Sequence, residues 1–309
     1  LDVCGRMSGH LPGDGELGSV IVDKTLAELL GVEAKRVDRS SLEARVKDIL
    51  FPRMLTLCAG CPHRATLYAL KRAVKRVKGD VRRVVVNGDI GCYGLAHAPP
   101  ISFEDTYFCM GASIGVSQGM ARTGVDSIAL IGDGTFFHAG IPGLINASYN
   151  GAPIKVVVAD NGTIAMTGFQ PTPQAGKTGM GRPAKRIMIE EIARAAGVDR
   201  VEVVDPYDLE PTEAAFTRML EDKGVAMVIA RRLCATEALR VMKPKRPTPY
   251  QVDPAACIGC RVCLSQYGCP AITWGDATER AEVDANICTG CGVCSQVCPQ
   301  GAIKEAGAP

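Results

Sequence analysis

Eight cysteines near the C-terminus form two runs of the pattern Cys-x-x-Cys-x-x-Cys, and each run is followed by a Cys-Pro pair. The first run is Cys257, Cys260 and Cys263 with Cys269-Pro270, and the second is Cys288, Cys291 and Cys294 with Cys298-Pro299. A cluster of four iron and four sulfur atoms (4Fe–4S) needs four thiolates, of which a tight loop supplies three. The pattern therefore predicts a small domain that folds around two such clusters.

The fourth ligand of each cluster is expected from the far end of the other run. The predicted sets are Cys257, Cys260, Cys263 and Cys298 for one cluster, and Cys269, Cys288, Cys291 and Cys294 for the other. Zinc knuckles and a disulfide framework are the alternatives, but runs of three plus one that end in proline fit both poorly. Five residues, 264–268, precede Cys269, whereas three precede Cys298. The first run therefore departs from the usual spacing.

The composition restricts the class of protein. Fourteen cysteines indicate a reducing compartment such as the cytoplasm, because oxidised pairs cannot ligate iron. No apolar run reaches the ~18 residues of a membrane span, and no signal peptide is visible. A net charge of +2 implies no polyanion partner, and 5% aromatic residues argue against stacking on single-stranded nucleic acid. The first residue is Leu1, which is compatible with a fragment or one piece of a longer polypeptide.

Upstream of the cysteine runs, short Val/Ile/Leu-rich segments alternate with helix-like segments. This alternation indicates a parallel sheet with helices on both faces. The prolines of 243–250 break the alternation and predict a linker. The predicted fold is thus an α/β domain followed by a small α+β domain of the bacterial-ferredoxin type. The predicted boundaries are 1–50 for a lead-in segment, 51–242 for the α/β domain, 243–250 for the linker and 251–309 for the cluster domain.

The same patterns predict individual elements. The predicted helices of the α/β domain are 63–77, 112–123, 141–149, 187–196 and 213–222. The predicted strands are 81–86, 127–131, 154–159, 201–204 and 225–230. Two more helices are predicted in the lead-in segment, at 20–30 and 42–50.

Polar residues follow two consecutive predicted strands. Gly132-Asp133-Gly134 follows the strand 127–131, and Asn161 follows the strand 154–159. Because a right-handed crossover joins neighbouring parallel strands, both loops should emerge at the carboxyl edge of the sheet, where open α/β sheets bind ligands. A carboxylate and an amide oxygen suit Mg²⁺, which also binds diphosphate oxygens. Gly-Asp-Gly alone could be a plain turn, but its pairing with Asn161 favours a magnesium diphosphate site.

This arrangement resembles the diphosphate-binding signature of thiamine-diphosphate enzymes, which is Gly-Asp-Gly, a gap of this length and then Asn. The resemblance implies that Asp133, Asn161 and the backbone oxygen of Thr163 ligate Mg²⁺, with Gly132 and Gly134 beside the diphosphate. Asp160 stands where the signature often has a first Asn.

More of the chain resembles one branch, the large subunit of indolepyruvate:ferredoxin oxidoreductase, and only the second half of that subunit. The resemblance rests on the segments 58–64 (Cys-Ala-Gly-Cys-Pro-His-Arg), 89–93 (Asp-Ile-Gly-Cys-Tyr), 110–113 (Met-Gly-Ala-Ser) and 165–171, together with the cluster domain. The segment 89–93 adds Asp89 and Gly91 to the predicted cofactor-binding residues. Phe169 and Thr172 stand where the family often has His.

Four further cysteines are expected at the carboxyl edge of the sheet: Cys58, Cys61, Cys92 and Cys234. Related 2-oxoacid:ferredoxin oxidoreductases carry a cluster near thiamine on cysteines in this order. The resemblance therefore implies a possible third 4Fe–4S cluster. A zinc site and ordinary buried cysteines are the alternatives, and Cys109 is an alternative ligand to Cys234.

The implied activity is the oxidative decarboxylation of an aryl pyruvate, such as indolepyruvate, to an aryl-acetyl-CoA and CO₂. Coenzyme A is the implied co-substrate, and the electrons pass through the clusters to ferredoxin. The catalytic residue stays unassigned, because the Glu that protonates thiamine in this family belongs to a pyrimidine-binding domain outside this chain. Within the chain, His63 and His138 are candidates to face substrate or diphosphate, with a structural role as the alternative.

The implied partners are the pyrimidine-binding domain or chain, a smaller oxidoreductase subunit and ferredoxin, in a hetero-oligomer. One alternative function is a subunit of an oxidoreductase for pyruvate or 2-oxoglutarate. Another is an electron-transfer module in which the thiamine-like domain is only a docking scaffold. Binding of thiamine diphosphate would distinguish this last alternative from an enzyme subunit.

Overall fold

The computed structural model describes residues 3–33, 40–47, 55–241 and 247–307. The chain divides into two compact units, 1–54 and 55–309. The first unit contains helix α1 (Ser19–Leu30) and helix α2 (Ser40–Val46). The predicted helix 42–50 therefore begins two residues earlier than expected. Its last three positions lie outside the described residues, as do residues 243–246 of the predicted linker.

The second unit is built on a six-stranded sheet in which all paired strands are parallel. Its strands are β1 (Val85–Gly88), β2 (Thr106–Tyr107), β3 (Ser127–Gly132), β4 (Lys155–Asp160), β7 (Arg200–Val204) and β8 (Ala226–Arg231). A short antiparallel pair, β5 (Thr163–Ile164) and β6 (Gln170–Pro171), follows β4. The order across the sheet is β2-β1-β3-β4-β8-β7, so β3 and β4 lie at its centre.

Helices cover both faces of this sheet, as predicted. They are α3 (Pro62–Lys78), α4 (Ala112–Arg122), α5 (Asp133–Thr135), α6 (Ile141–Tyr149), α7 (Ile189–Ala195), α8 (Leu209–Glu221) and α9 (Ala235–Val241). Successive strand residues point to opposite faces. Val157 and Ala159 of β4 join the core beneath α3 and α8, whereas Val156 and Val158 join the core beneath α4, α6 and α7.

Several local features differ from the sequence predictions, and one is the start of α8 at Leu209, four residues before the predicted start at 213. The predicted strand 81–86 begins only at Val85, because residues 81–83 form a 3-10 turn. The side chain of Asp80 caps this turn by accepting from the backbone N–H of Arg82 (3.0 Å). The edge strand β2 and helix α9 were not predicted. Two residues and seven residues are too short to give a clear periodic signal.

The cysteine runs fold into a small α+β domain, as predicted. Strand β9 (Tyr250–Val252) pairs antiparallel with β12 (Ile303–Glu305), and β10 (Ile272–Gly275) pairs antiparallel with β11 (Arg280–Val283). A π-helical turn, Cys263–Tyr267, and helix α10 (Val293–Val297) carry the ends of the two runs.

Arg64 of α3 ties the cluster domain to the sheet domain. Its side chain is buried and donates to the carbonyl oxygens of Tyr267 (3.1 Å) and Gly268 (2.6 Å). The Tyr267 ring packs edge-on against Tyr68 of α3, with ring centroids 5.7 Å apart. The five residues before Cys269 thus form a turn that reaches α3, and a shared apolar core continues from one domain into the other.

Of the helices in the described ranges, none combines the length and the apolar character that a membrane crossing requires.

Candidate cofactor and cluster sites

The predicted diphosphate residues meet at the carboxyl edge of the sheet. Gly132 ends β3 and pairs with Ala159 of β4, so Asp133 and Asp160 emerge beside each other. A cavity at this edge is lined by His63, Gly91, Cys92, Tyr93, Gly132, Asp133, Gly134, Asn161 and Thr163, among others. The strand register therefore brings together residues that are up to 100 positions apart in the sequence.

Asp133 is the buried carboxylate of this cavity. It is 3% exposed, and its Oδ2 atom has no hydrogen-bond partner in the described part of the chain. Burial raises the pKa of Asp133 well above its usual range, and the neighbouring charge of Asp160 raises it further. A carboxylate in this environment is stabilised when a cation binds it. The unpartnered Oδ2 atom thus fits a divalent metal.

The Asp160 carboxylate, unlike that of Asp133, is paired with a positively charged side chain. Its Oδ2 accepts from Nε of Arg231 at 2.6 Å, and its Oδ1 accepts from Nε2 of Gln174 at 3.1 Å. Arg231 also pairs with Glu190 of α7 at 2.7 Å. Asp160 therefore serves a structural network, while Asp133 faces the cavity. Nothing in the sequence signals this role of Arg231, because its partners come from three separate segments.

Two glycines leave no room for a side chain, because neighbouring side chains of the cavity pack against their backbone. A Cβ atom on Gly132 would lie 2.6 Å from the Tyr93 ring, and one on Gly134 would lie 2.5 Å from Ile164. Asp133 also begins a continuous helical segment, 133–149. The free N–H groups at a helix start attract phosphate. The glycines, the helix start and Asp133 together suit a magnesium diphosphate.

Asn161 is held on two sides. Its Nδ2 donates to Nε2 of His63 at 3.2 Å, and its Oδ1 accepts from the backbone N–H of Thr163, also at 3.2 Å. His63 is buried, and desolvation lowers its pKa to about 4, so its ring is neutral at pH 7. A neutral Nε2 can accept, which fixes the orientation of the Asn161 amide. The carbonyl oxygen of Asn161 also accepts from the N–H of Cys234 at 3.0 Å.

Asp89 and Gly91 follow β1 beside the same cavity. The Asp89 carboxylate is buried and accepts from the hydroxyls of Tyr93 and Ser113 and from the N–H of Gly111. Gly91 lines the cavity, whereas Asp89 lies behind it and orients Tyr93. Tyr93 was not singled out from the sequence, although it directly follows Cys92 in the segment 89–93.

His138 is exposed in the helical segment after Asp133 and does not line the cavity. Of the two candidate histidines, only His63 faces the predicted cofactor residues. In the described ranges, no three His, Cys, Asp or Glu side chains form a group that could hold a single metal ion. The predicted magnesium set contains only one residue of these four types, Asp133.

Three of the four additional cysteines, Cys58, Cys92 and Cys234, are near enough for their thiols to affect one another electrostatically. Burial raises the pKa of the Cys92 thiol, and the nearby Cys234 and Cys58 thiols raise it further. Cys61 is buried beside Cys58, and burial raises its pKa to about 12. Cys92 also lines the Asp133 cavity. This group is therefore directly beside the predicted diphosphate site.

The two cysteine runs enclose two separate cavities. One is lined by Cys257, Cys260, Cys263 and Cys298, and the other by Cys269, Cys288, Cys291 and Cys294. These are the crossed sets that the spacing predicts, and Cys269 reaches the second cavity despite its longer gap. All fourteen cysteines lie in the described residues and are free thiols.

Backbone N–H groups point at two of these sulfurs. Ala302 donates to Sγ of Cys298 at 3.3 Å, and Tyr250 donates to Sγ of Cys288 at 3.4 Å. Hydrogen bonds to ligand sulfurs are a recurrent feature of iron–sulfur sites. Ala59 and Gly60 line the second cavity and lie between Cys58 and Cys61, so the second cavity is next to the Cys58 group.

Comparison with known families agrees with this geometry. Residues 89–230 match the C-terminal TPP binding domain of thiamine pyrophosphate enzymes, and residues 281–304 match the 4Fe-4S binding domain. Indolepyruvate oxidoreductase subunit IorA of Pyrococcus horikoshii is 41% identical over 303 residues, which cover 91% of this chain and 45% of that protein. The same subunit of Methanothermobacter thermautotrophicus is 43% identical over 310 residues, which cover 99% and 48%.

The chain is similar to subunit IorA. It spans about half the length of these curated relatives. It carries a thiamine-diphosphate-binding domain and a 4Fe–4S binding domain, so the resemblance expected from the sequence is confirmed. The 2-oxoglutarate:ferredoxin oxidoreductase of Magnetococcus marinus superimposes with a TM-score of 0.52 at 20% identity, covering 62% of this chain and 68% of that one. This similarity supports the fold.

Proposed function

We propose that this chain is the cofactor-binding and electron-exit part of a thiamine-diphosphate-dependent 2-oxoacid:ferredoxin oxidoreductase that acts on an aryl pyruvate such as indolepyruvate. The observation that carries this proposal is a single arrangement in one compact unit. A cavity suited to magnesium diphosphate adjoins a cysteine group, and that group adjoins the cavity of Cys269, Cys288, Cys291 and Cys294, beyond which lies the other four-cysteine cavity. Such an arrangement suits the removal of electrons from a cofactor one at a time.

The residues of the sheet edge would hold the cofactor. Asp133, the Asn161 side chain and the backbone oxygen of Thr163 would ligate Mg²⁺, and the backbone at Gly132 and Gly134 would approach the diphosphate. When bound, thiamine diphosphate serves as the electron sink for decarboxylation of the 2-oxoacid. Within the chain, His63 would keep the Asn161 amide in its ligating orientation. Coenzyme A would accept the acyl group.

The cysteines would ligate the clusters through which electrons leave the cofactor. Cys58, Cys61, Cys92 and Cys234 would ligate a cluster beside the cofactor, and the two crossed sets would ligate the two outer clusters. Burial raises the pKa of Cys263 to about 11, so cluster assembly must displace protons from such thiols. Tyr207 donates to the carbonyl oxygen of Gly60, and Gln296 of α10 donates to the carbonyl oxygen of Tyr207 at 2.7 Å, which supports a short separation between inner and outer clusters.

We infer that the working enzyme is a hetero-oligomer in a reducing compartment. The chain spans about half of its curated relatives, so we expect a pyrimidine-binding domain or chain with the Glu that protonates thiamine. A smaller oxidoreductase subunit and ferredoxin complete the proposed partners.

Replacement of Asp133 tests the cofactor site. We expect Asp133→Asn to weaken binding of magnesium thiamine diphosphate at least tenfold by isothermal titration calorimetry, because the variant removes the only charged metal ligand. The matched control is Asp126→Asn, an aspartate at the opposite edge of the sheet. Equal binding by the Asp133 variant and the unaltered chain would refute the site. No binding by the unaltered chain would favour the electron-transfer module.

Iron content tests the number of clusters. Anaerobic reconstitution should give about twelve iron atoms per chain if the inner cysteines hold a third cluster, and about eight if they do not. Cys234→Ala should then lower the content by about four, whereas Cys109→Ala should leave it unchanged. A loss with Cys109→Ala instead would assign that residue as the ligand.

A further inference from the structure

A groove separates the C-terminal half of α3 from the π-helical turn Cys263–Tyr267. It encloses about 980 Å³ of atom-free space, which includes its open mouth. One side is lined by Lys71, Arg72 and Lys75 of α3 together with Tyr68 and the segment 79–81, which includes Asp80, and the other side is lined by Ser265 and Gln266. We call this the basic groove. The three cations recur at helical spacing, so they share one side of α3.

The charge around the basic groove is strongly positive. The segment 71–83 carries seven cations, namely Lys71, Arg72, Lys75, Arg76, Lys78, Arg82 and Arg83. Three carboxylates pair with them: Glu213 with Arg72 and Arg76, Asp126 with Lys78, and Asp80 with Arg82. The segment thus keeps a surplus of four positive charges, although the whole chain carries only +2. Among the described ion pairs, none includes Lys75.

The position of the basic groove excludes a role in binding the 2-oxoacid. Helix α3 begins beside the cofactor cavity, where His63 contacts Asn161. Its other end lies at the amino edge of the sheet, where Lys78 pairs with Asp126 just before β3. Because α3 runs against the strands, the groove and the cofactor cavity are at opposite edges. A ligand in the groove therefore cannot reach the cofactor.

The same position places the basic groove beside an outer cluster site. Gln266 is three residues from Cys263, so at most about 11 Å of chain separates them. Cys263 lines the cavity of Cys257, Cys260 and Cys298, and Cys260 is exposed to solvent. A protein seated in the groove would therefore lie next to the exposed end of the proposed electron path.

We propose that the basic groove docks an acidic electron-carrier protein, which accepts electrons from the cluster of Cys257, Cys260, Cys263 and Cys298. This proposal rests on the proposed function for the presence of that cluster. In each transfer one electron leaves the reduced cluster and reduces one centre of the carrier, and no bond forms or breaks. The positive surface attracts the carrier, and its charge pattern orients the carrier over the cluster.

Lys75→Glu tests the docking without use of the thiamine site. The clusters of the full chain are reconstituted and reduced with dithionite, the excess is removed, and the chain is mixed in a stopped-flow instrument with an oxidised acidic ferredoxin. We expect Lys75→Glu to lower the second-order rate about three- to tenfold at low salt, with the difference shrinking at high salt. Lys75→Arg should retain the rate, and so should Arg122→Glu on the opposite face of the sheet.

Benzyl viologen is the second acceptor, because a small dye needs no docking surface. Oxidation by the dye should be no slower in Lys75→Glu than in the unaltered chain. Equal slowing with both acceptors, or an unchanged ferredoxin rate at every salt concentration, would overturn the proposal. Binding of a DNA oligonucleotide that depends on Lys75, with no effect on the ferredoxin rate, would also overturn it. Failure of the thiamine proposal would show separately, as absent cofactor binding in a chain whose clusters still reduce the dye.

Discussion

Glu104 has a buried carboxyl group that lacks compensating hydrogen bonds within the described residues. Both carboxylate oxygens are inaccessible to solvent and have no hydrogen-bond partner in the described part of the chain, and the side chain lies against Gly88. Burial raises the pKa of Glu104 to about 8, and the charges of Asp89 and Asp105 add to the shift. A raised pKa means that the folded chain binds this proton more tightly than the unfolded chain does.

This shift predicts a loss of stability as pH rises. The stabilisation is complete below the unfolded pKa of Glu and disappears as pH rises through about 8. We expect Glu104→Gln to raise the free energy of unfolding at pH 8.5 by on the order of 2 kcal/mol after allowance for solvent screening. The thermal midpoint at that pH should rise by a few degrees. The midpoints at pH 5 should differ much less. The exposed Glu221→Gln is the control, and a pH-independent difference in Glu104→Gln would contradict the assignment.

At the residue scale, sequence spacing identified the residues that follow strands but not those that orient them. Asp133, Asn161 and the crossed cysteines were predictable, because strand ends and cluster loops impose fixed local spacings. Tyr93 and Arg231 were not singled out. Their roles depend on side chains that meet only after the sheet has formed, as Arg231 does with Asp160 and Glu190.

At the scale of elements, the contact between α3 and the π-helical turn connects the sheet domain with the cluster domain. Arg64 satisfies the carbonyl oxygens of Tyr267 and Gly268, and the left-handed Gly268 (φ 62°) ends the turn. The sequence showed the longer gap before Cys269 but not its purpose. The purpose depends on a partner residue about 200 positions away, which spacing within the run cannot reveal. The central strands were predicted because they are short continuous apolar runs, and the helices because their apolar residues recur at helical spacing.

Removal of Arg64 should therefore loosen the cluster domain. We expect Arg64→Met to destabilise the chain by about 3 kcal/mol, because it leaves buried carbonyl groups without donors. Hydrogen exchange should increase most in residues 263–269. Arg82→Met, which removes an exposed arginine, should change neither quantity. Unchanged exchange in 263–269 would show that the turn does not depend on Arg64.

At the scale of the whole molecule, the chain carries a thiamine-diphosphate-binding domain and a 4Fe–4S binding domain but spans about half the length of its curated relatives. We expect the isolated, reconstituted chain to show cluster absorption and no reduction of viologen dye by indolepyruvate. The proposed proton-transferring Glu would come from another domain. Addition of the pyrimidine-binding domain or chain should restore turnover, and an anaerobic panel of 2-oxoacids would then identify the substrate. Robust turnover by the chain alone would refute the proposal that the proton-transferring Glu belongs to another domain.

Helix α3 acts as a spacer in this molecule. Its 17 residues measure about 25 Å from end to end, with the cofactor cavity at one end and the basic groove at the other. Two proteins that bind at these ends would therefore use different surfaces of the chain, and binding of the electron carrier in the groove would leave the residues of the cofactor cavity uncovered.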